Sequence, residues 1–150
     1  MLNKRLARNL TACFGMQKPW NLKDRTILFA TNVIRFCRRL PRTAEAAEIA
    51  SQLRRASAST GANYWACTRG RSTDEFIAKM GIAIEEADET IFWFTLLTST
   101  EIATESSVQE LRGEANEIVA ILTASHKTAK RRRDEKKKAA RAKGRMSRRT

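Results

Sequence analysis

Apolar residues recur at helical spacing along the patterned part of this chain, and they divide into four segments. The first runs from about Asp24 to Leu40, with Ile27, Ala30, Ile34, Cys37 and Leu40 on the expected inward face and Pro41 ending it. The second runs from about Ala44 to Arg69. Its stripe of Ile49, Leu53, Ala56, Thr60, Asn63 and Cys67 alternates steps of four and three, which is a heptad seam. Ser72 and Glu75 form a capping box that opens the third, with Ile77, Met80, Ile84, Ala87, Ile91 and Phe94 inward. Ser107 and Glu110 repeat the device before the fourth, whose stripe is Leu111, Ala115, Ile118, Leu122 and Ser125. No Asn-Gly or Asp-Gly hairpin turn occurs, and the prolines are Pro19 and Pro41 alone. The pattern predicts an all-α fold: an antiparallel, up-down-up-down four-helix bundle over residues 21–126.

Two segments fall outside this pattern. Residues 1–20 read as a flexible leader, with Met16 an alternative start just before the patterned sequence. Residues 127–150 form a basic tail whose first part extends helix 4 by a few turns, since Ala, Lys, Arg and Glu favour helix. Past Gly144 the tail is expected to be disordered, because it has nothing to bury.

Composition narrows the class. A chain of 150 residues, 42% of them hydrophobic, supports one domain with a real core. Glycine shows no repeat, there are three cysteines, and no apolar run nears ~18 residues, which excludes collagen-like, disulfide-framework and membrane-spanning classes. Cys13, Cys37 and Cys67 are far apart and form no CxxC pair, so reduced thiols and a cytoplasmic setting are expected. The N-terminal residues lack the apolar core of a secretion signal. The net charge of +13 is unevenly placed. Residues 1–71 carry 14 Lys and Arg against 3 acids, residues 72–126 carry 2 against 11, and residues 127–150 carry 13 against 2. A basic and an acidic half suit complementary helix packing, and the tail supplies most of the net charge.

Several residues could carry chemistry. Glu85, Glu86, Asp88 and Glu89 cluster on helix 3, but a di-metal bundle needs inward Glu-x-x-His motifs and His126 is the lone histidine. The acids are therefore expected to pair with basic helix 1 or helix 2, with no metal or cofactor. His126 lies in the last turns of helix 4, where the dipole favours a positive imidazole, and no triad partner accompanies it. Cys37 and Cys67 read as small buried hydrophobes. Asn63, on the seam, is expected to fix register through a buried partner, and Gly61 in a run of small residues lets another helix approach closely. Arg35, Arg38, Arg39 and Arg42 share one side of helix 1. Arg54 and Trp65 share a meridian of helix 2, and Arg69 and Arg71 follow at its end. Such a basic stripe beside an indole suits phosphates and a stacked base, although subunit packing is the favoured role for Trp65. In the tail, Lys130, Arg131, Arg132, Arg133, Lys136, Lys137 and Lys138 offer charge without aromatic residues, hence polyanion binding without base selection.

One stretch is specific enough to suggest relatives. Gln52-Leu53-Arg54-Arg55, Gly61-Ala62-Asn63-Tyr64, Arg69-x-Arg71-Ser72, Glu75-Phe76-Ile77-Ala78-Lys79, Glu85 to Thr90 and Trp93 resemble the S23, or 23S rRNA intervening-sequence, protein family. Arg25-Thr26, Phe29-Ala30 and Leu40-Pro41 resemble its first helix, and the likeness covers roughly residues 20–126. Trp65 and Thr68 depart from it, standing where relatives tend to carry Arg and Cys, and the tail lies outside it. The resemblance implies a small helical subunit of a homopentameric ring. Some relatives are encoded within ribosomal RNA genes, and others are accessory proteins of diversity-generating retroelements that bind a reverse transcriptase and nucleic acid. Gly61, Asn63, Tyr64, Trp65 and Trp93 are the expected packing residues of bundle or oligomer. The combined expectation is a non-enzymatic, oligomeric nucleic-acid-binding protein, RNA before DNA, with no membrane role. The alternative is a protein–protein scaffold ring with no nucleic-acid function.

Overall fold

The computed structural model describes residues 21–147, so the leader with Cys13 and Met16, and residues 148–150, lie outside the description. Four helices follow one another: α1 (Leu22–Cys37), α2 (Ala44–Cys67), α3 (Thr73–Ser99) and α4 (Glu105–Ser147). Each of the first three begins where a side chain takes an otherwise orphaned amide. Asn21 accepts from the Asp24 N–H, Thr43 from that of Ala46, and Ser72 from that of Glu75. The Ser72 half of the box forms, while the Glu75 carboxylate reaches one residue further back than the cap and accepts the Arg71 N–H at 2.9 Å. The Ser107 box is not used. Helix α4 already begins at Glu105, and the Ser107 hydroxyl donates to the Thr104 carbonyl at 2.7 Å. Thr104 stands ahead of it, so Ser107 falls within the first turn. The α3–α4 turn is tight, with Glu101 in the left-handed region at φ 57°.

The core forms where the four stripes meet. Leu53, Ala83, Ala87, Phe94, Leu97, Ala115, Ile118 and Leu122 are fully buried, and Phe36 meets Phe94 edge-on at 5.7 Å between ring centroids. The stripes of α2, α3 and α4 lie inward largely as expected. In α4 the buried face starts one turn earlier, at Val108, and Ser125 is exposed. In α3 Ile84 and Ile91 are half-buried at its edge, beside Ala83 and Thr90.

Helix α1 is turned from its expected orientation. It buries Thr26, Phe29, Val33, Phe36 and Cys37, while Ile27 is 46% exposed and Ala30 and Ile34 are half-buried. The helix has two apolar faces, and the bulkier one, with both phenylalanines, occupies the core. It also ends at Cys37: the amides of Arg39 and Leu40 bond three residues back, to Phe36 and Cys37, in a tightened turn before Pro41.

Buried polar groups are satisfied locally. Thr26, Ser57, Thr60 and Thr90 each donate to a carbonyl of their own helix. The charge halves meet as opposite helices. Arg25 of α1 binds Glu114 of α4 with two donors, Nε and one terminal nitrogen at 3.0 Å, and also reaches Glu117. The Arg25 and Glu114 side chains are each 13% exposed. Replacing Arg25 with Ala is expected to cost about 1–3 kcal/mol, measured by urea unfolding, since it removes charged hydrogen bonds from a largely dry pair.

Candidate functional site

The expected contact residues separate to opposite ends of the bundle. At one end, the corner between α1 and α2, Arg38 caps α1, Arg39 and Arg42 follow it, and Arg35 sits in the last turn. Because α1 stops at Cys37, these arginines do not form a single helical stripe. Instead Arg38 and Arg42 line, with Arg54 of α2, a recess of about 510 Å3. Arg54 therefore belongs with the corner and not with Trp65.

Toward the other end of α2, a helix about 36 Å long, stand Trp65, about 16 Å along the axis from Arg54, and then Arg69 and Arg71. The Lys23 ammonium lies 3.9 Å from the Trp65 ring centroid and the Arg69 guanidinium 6.0 Å, and the indole N–H points to the Lys23 carbonyl at 3.5 Å. Trp65 is thereby held at the head of a groove of about 410 Å3 between α1 and α2, lined by Ile27, Ala30, Ile34, Ala58, Gly61 and Ala62. Gly61 does admit a neighbour: a β-carbon there would touch Thr26 of α1 at 3.5 Å.

The hydrogen bonds that the Asn63 amide makes among the described residues stay within its own helix. The amide is half-buried and donates to the carbonyl and hydroxyl of Ser59, one turn back, at 3.0 and 3.1 Å. Tyr64 packs half-buried against the core. Trp93 donates to Glu89 at 2.9 Å and meets exposed Phe92 edge-on. Glu89 also lies 3.9 Å from Arg55 of α2, whereas Glu85, Glu86 and Asp88 have no ion pair among the described residues. No group of three or more His, Cys, Asp or Glu among the described residues could hold a metal ion.

The basic segment continues α4 without a break. Starting from the turn at Glu105, antiparallel register brings Arg133 and Lys137 to Asp74 in the first turn of α3, at 3.2 and 3.4 Å. These contacts hold the Asp74 carboxyl below its ordinary range. Since the folded pKa is depressed, the tie persists above the usual carboxylate pKa and loosens as pH falls through the lowered one. Lys130, Arg131, Arg132, Lys136 and Lys138 are exposed, with only Glu135 near Arg131 at 4.0 Å. Beyond Lys137 the helix runs about 15 Å further, to Ser147. His126 is mid-helix and half-buried, so no helix end favours its charge. Burial, then Lys130, push its pKa down, and the nearby Ile77 backbone opposes them. Asp74 was missed in the sequence, although counting back along antiparallel α3 and α4 would have placed it opposite the start of the tail.

The bundle itself has known relatives. The family model for the 23S rRNA-intervening sequence protein matches residues 20–124. This chain belongs to that family. A solved structure from Bacteroides thetaiotaomicron VPI-5482, described as a protein with unknown function from the S23 ribosomal protein family, is similar at 29% identity with a TM-score of 0.67. The similarity covers 71% of this chain and 99% of that one. No curated protein matches the chain. The family match ends before the basic arm begins, so in this member the arm is joined to the shared bundle. Among the described residues no helix is long and apolar enough to cross a membrane.

Proposed function

We propose that this family member is a non-enzymatic, oligomeric nucleic-acid-binding protein, RNA before DNA, serving a ribonucleoprotein or a retroelement reverse transcriptase. The observation carrying this reading is the arm: an exposed basic helix, tied to the bundle at Asp74 and projecting past it. Its cations outnumber its acids, Asp134 and Glu135, and Arg133 already engages Asp134. A rod of this kind presents charge to phosphates without contacts that read bases. Fluorescence anisotropy of the full chain with RNA and duplex DNA over a salt series tests the reading. Binding that weakens steeply with salt supports it; no binding at moderate salt removes it.

The groove between α1 and α2 favours a second component of the reading, self-association. Ile27 leaves apolar surface on α1 beside Ala58, Ala62 and Trp65. We infer that subunits of the homo-oligomer, a pentamer by resemblance, meet there. Ile27→Glu and Ile34→Glu are each expected to shift the molecular mass in light scattering toward the monomer, with the helical circular dichroism unchanged. If oligomers form and RNA does not bind, the scaffold ring replaces the nucleic-acid reading.

A further inference from the structure

The recess at the α1–α2 corner differs in kind from the arm. Arg38, Arg42 and Arg54 come from three successive parts of the chain, the end of α1, the connection and the third turn of α2, yet they line one concavity of about 510 Å3. Its floor is small: Ala44, Ala46, Ala47 and Ala50. No acidic residue lines it. Glu45 and Glu48 lie on another flank of α2, and Glu48 accepts from Gln52 at 3.3 Å. None of the three arginines has an ion-pair partner among the described residues.

The group beside Arg54 provides no counter-charge. The Cys37 thiol is buried, points to the Ala50 carbonyl at 3.8 Å and interacts with the Arg54 guanidinium. Burial pushes that thiol up to about 11, so it stays protonated at neutral pH. Three arginines therefore line a hollow that no acidic residue among the described ones lines. Guanidinium forks match the oxygens of phosphate, and a cluster of three suits a dianion better than the single charge of a phosphodiester.

We propose that the recess lined by Arg38, Arg42 and Arg54 is a binding site for a phosphate monoester or free phosphate. The terminal phosphate of a nucleic-acid strand and a small phosphorylated molecule share this chemistry. The site lies at the α1–α2 corner, whereas the arm is anchored beside the start of α3, and the site does not depend on the arm binding nucleic acid.

The test uses the full chain and two probes. The first is inorganic phosphate against chloride at matched ionic strength, read as the midpoint of thermal unfolding. The second is a short RNA carrying a 5′-phosphate against the same RNA with a 5′-hydroxyl, read by anisotropy. Phosphate is expected to raise the midpoint by several degrees, and the 5′-phosphate to tighten binding by about fivefold or more. Both effects are expected to vanish in Arg38→Gln with Arg54→Gln, and in Ala47→Glu, which places a carboxylate in the recess and leaves the arginines intact. Both should survive glutamine substitution of Lys130, Arg131 and Lys138. A phosphate shift without a 5′-phosphate preference supports the site and assigns it a small phosphorylated molecule. The preference alone also supports it and assigns a strand end. Absence of both effects, or their survival in the recess variants, overturns the proposal. Failure of RNA binding with a retained, recess-dependent phosphate shift removes the function proposed above and leaves this site standing.

Discussion

A chain in which Lys130, Arg131, Arg132, Lys136, Lys138 and Arg141 are all glutamine is expected to bind single-stranded RNA at least about 100-fold more weakly at 0.1 M salt. The log–log salt slope should fall by about four, since each neutralised phosphate contact contributes roughly 0.7. These six side chains are exposed, so the change removes charge without removing core contacts. Glutamine has nearly the helix propensity of Lys and Arg, and Arg133 and Lys137 remain on Asp74, so the arm keeps its length and anchor. Anisotropy over a salt series, with far-UV circular dichroism as the folding control, makes the measurement. An unchanged slope would move the contact to the arginines of the bundle. A lower slope with unchanged affinity near 1 M salt would show that the lost contribution is purely electrostatic.

The second large effect concerns stability. Phe94→Ala is expected to destabilise the bundle by about 3–5 kcal/mol, lowering the thermal midpoint by about 10 °C or more. Phe94 is fully buried, and its ring receives Phe36 edge-on. Removing it leaves a void between α1 and α3 that α1 cannot follow inward while Arg25 is fixed to Glu114. Phe92→Ala, two residues away, is the matched control. That ring is 56% exposed, and its loss is expected to cost less than about 1 kcal/mol. Calorimetry of the two variants side by side checks the contrast. Similar losses for both would mean that Phe92 is covered in the assembled protein.

What could be read from the sequence follows physical lines. Helix number, order and the buried stripes of α2, α3 and α4 were legible because a single dominant apolar face leaves one way to pack. Helix α1 was not, because Ile27, Ala30 and Ile34 compete with Phe29, Val33 and Phe36 at the same period. Period alone does not choose between two apolar faces; the volume available in the core does. The misassigned face is the one that borders the groove. For the site, the charge of each arginine was evident but its neighbours were not. Arg38, Arg42 and Arg54 converge only because α1 ends at Cys37 and the chain turns through Pro41. Trp65 was seen as a stacking or packing residue, and the cation covering it, Lys23, comes from the helix start 42 residues earlier.

The unbroken passage of α4 from core to arm couples two properties that are usually separate. A free peptide of this composition would have to nucleate its first turn alone and would resist it through repulsion among its cations. Here residues 105–126 are already wound against the bundle, so the arm has only to propagate. Phosphates that neutralise the cations remove the repulsion and favour further winding, and by linkage a more fully wound arm holds polyanions more tightly. Amide hydrogen exchange beyond Lys137 should therefore slow when a polyanion is bound, most of all at the distal turns. The bundle would then serve as the template for a helix that a bound polyanion tightens.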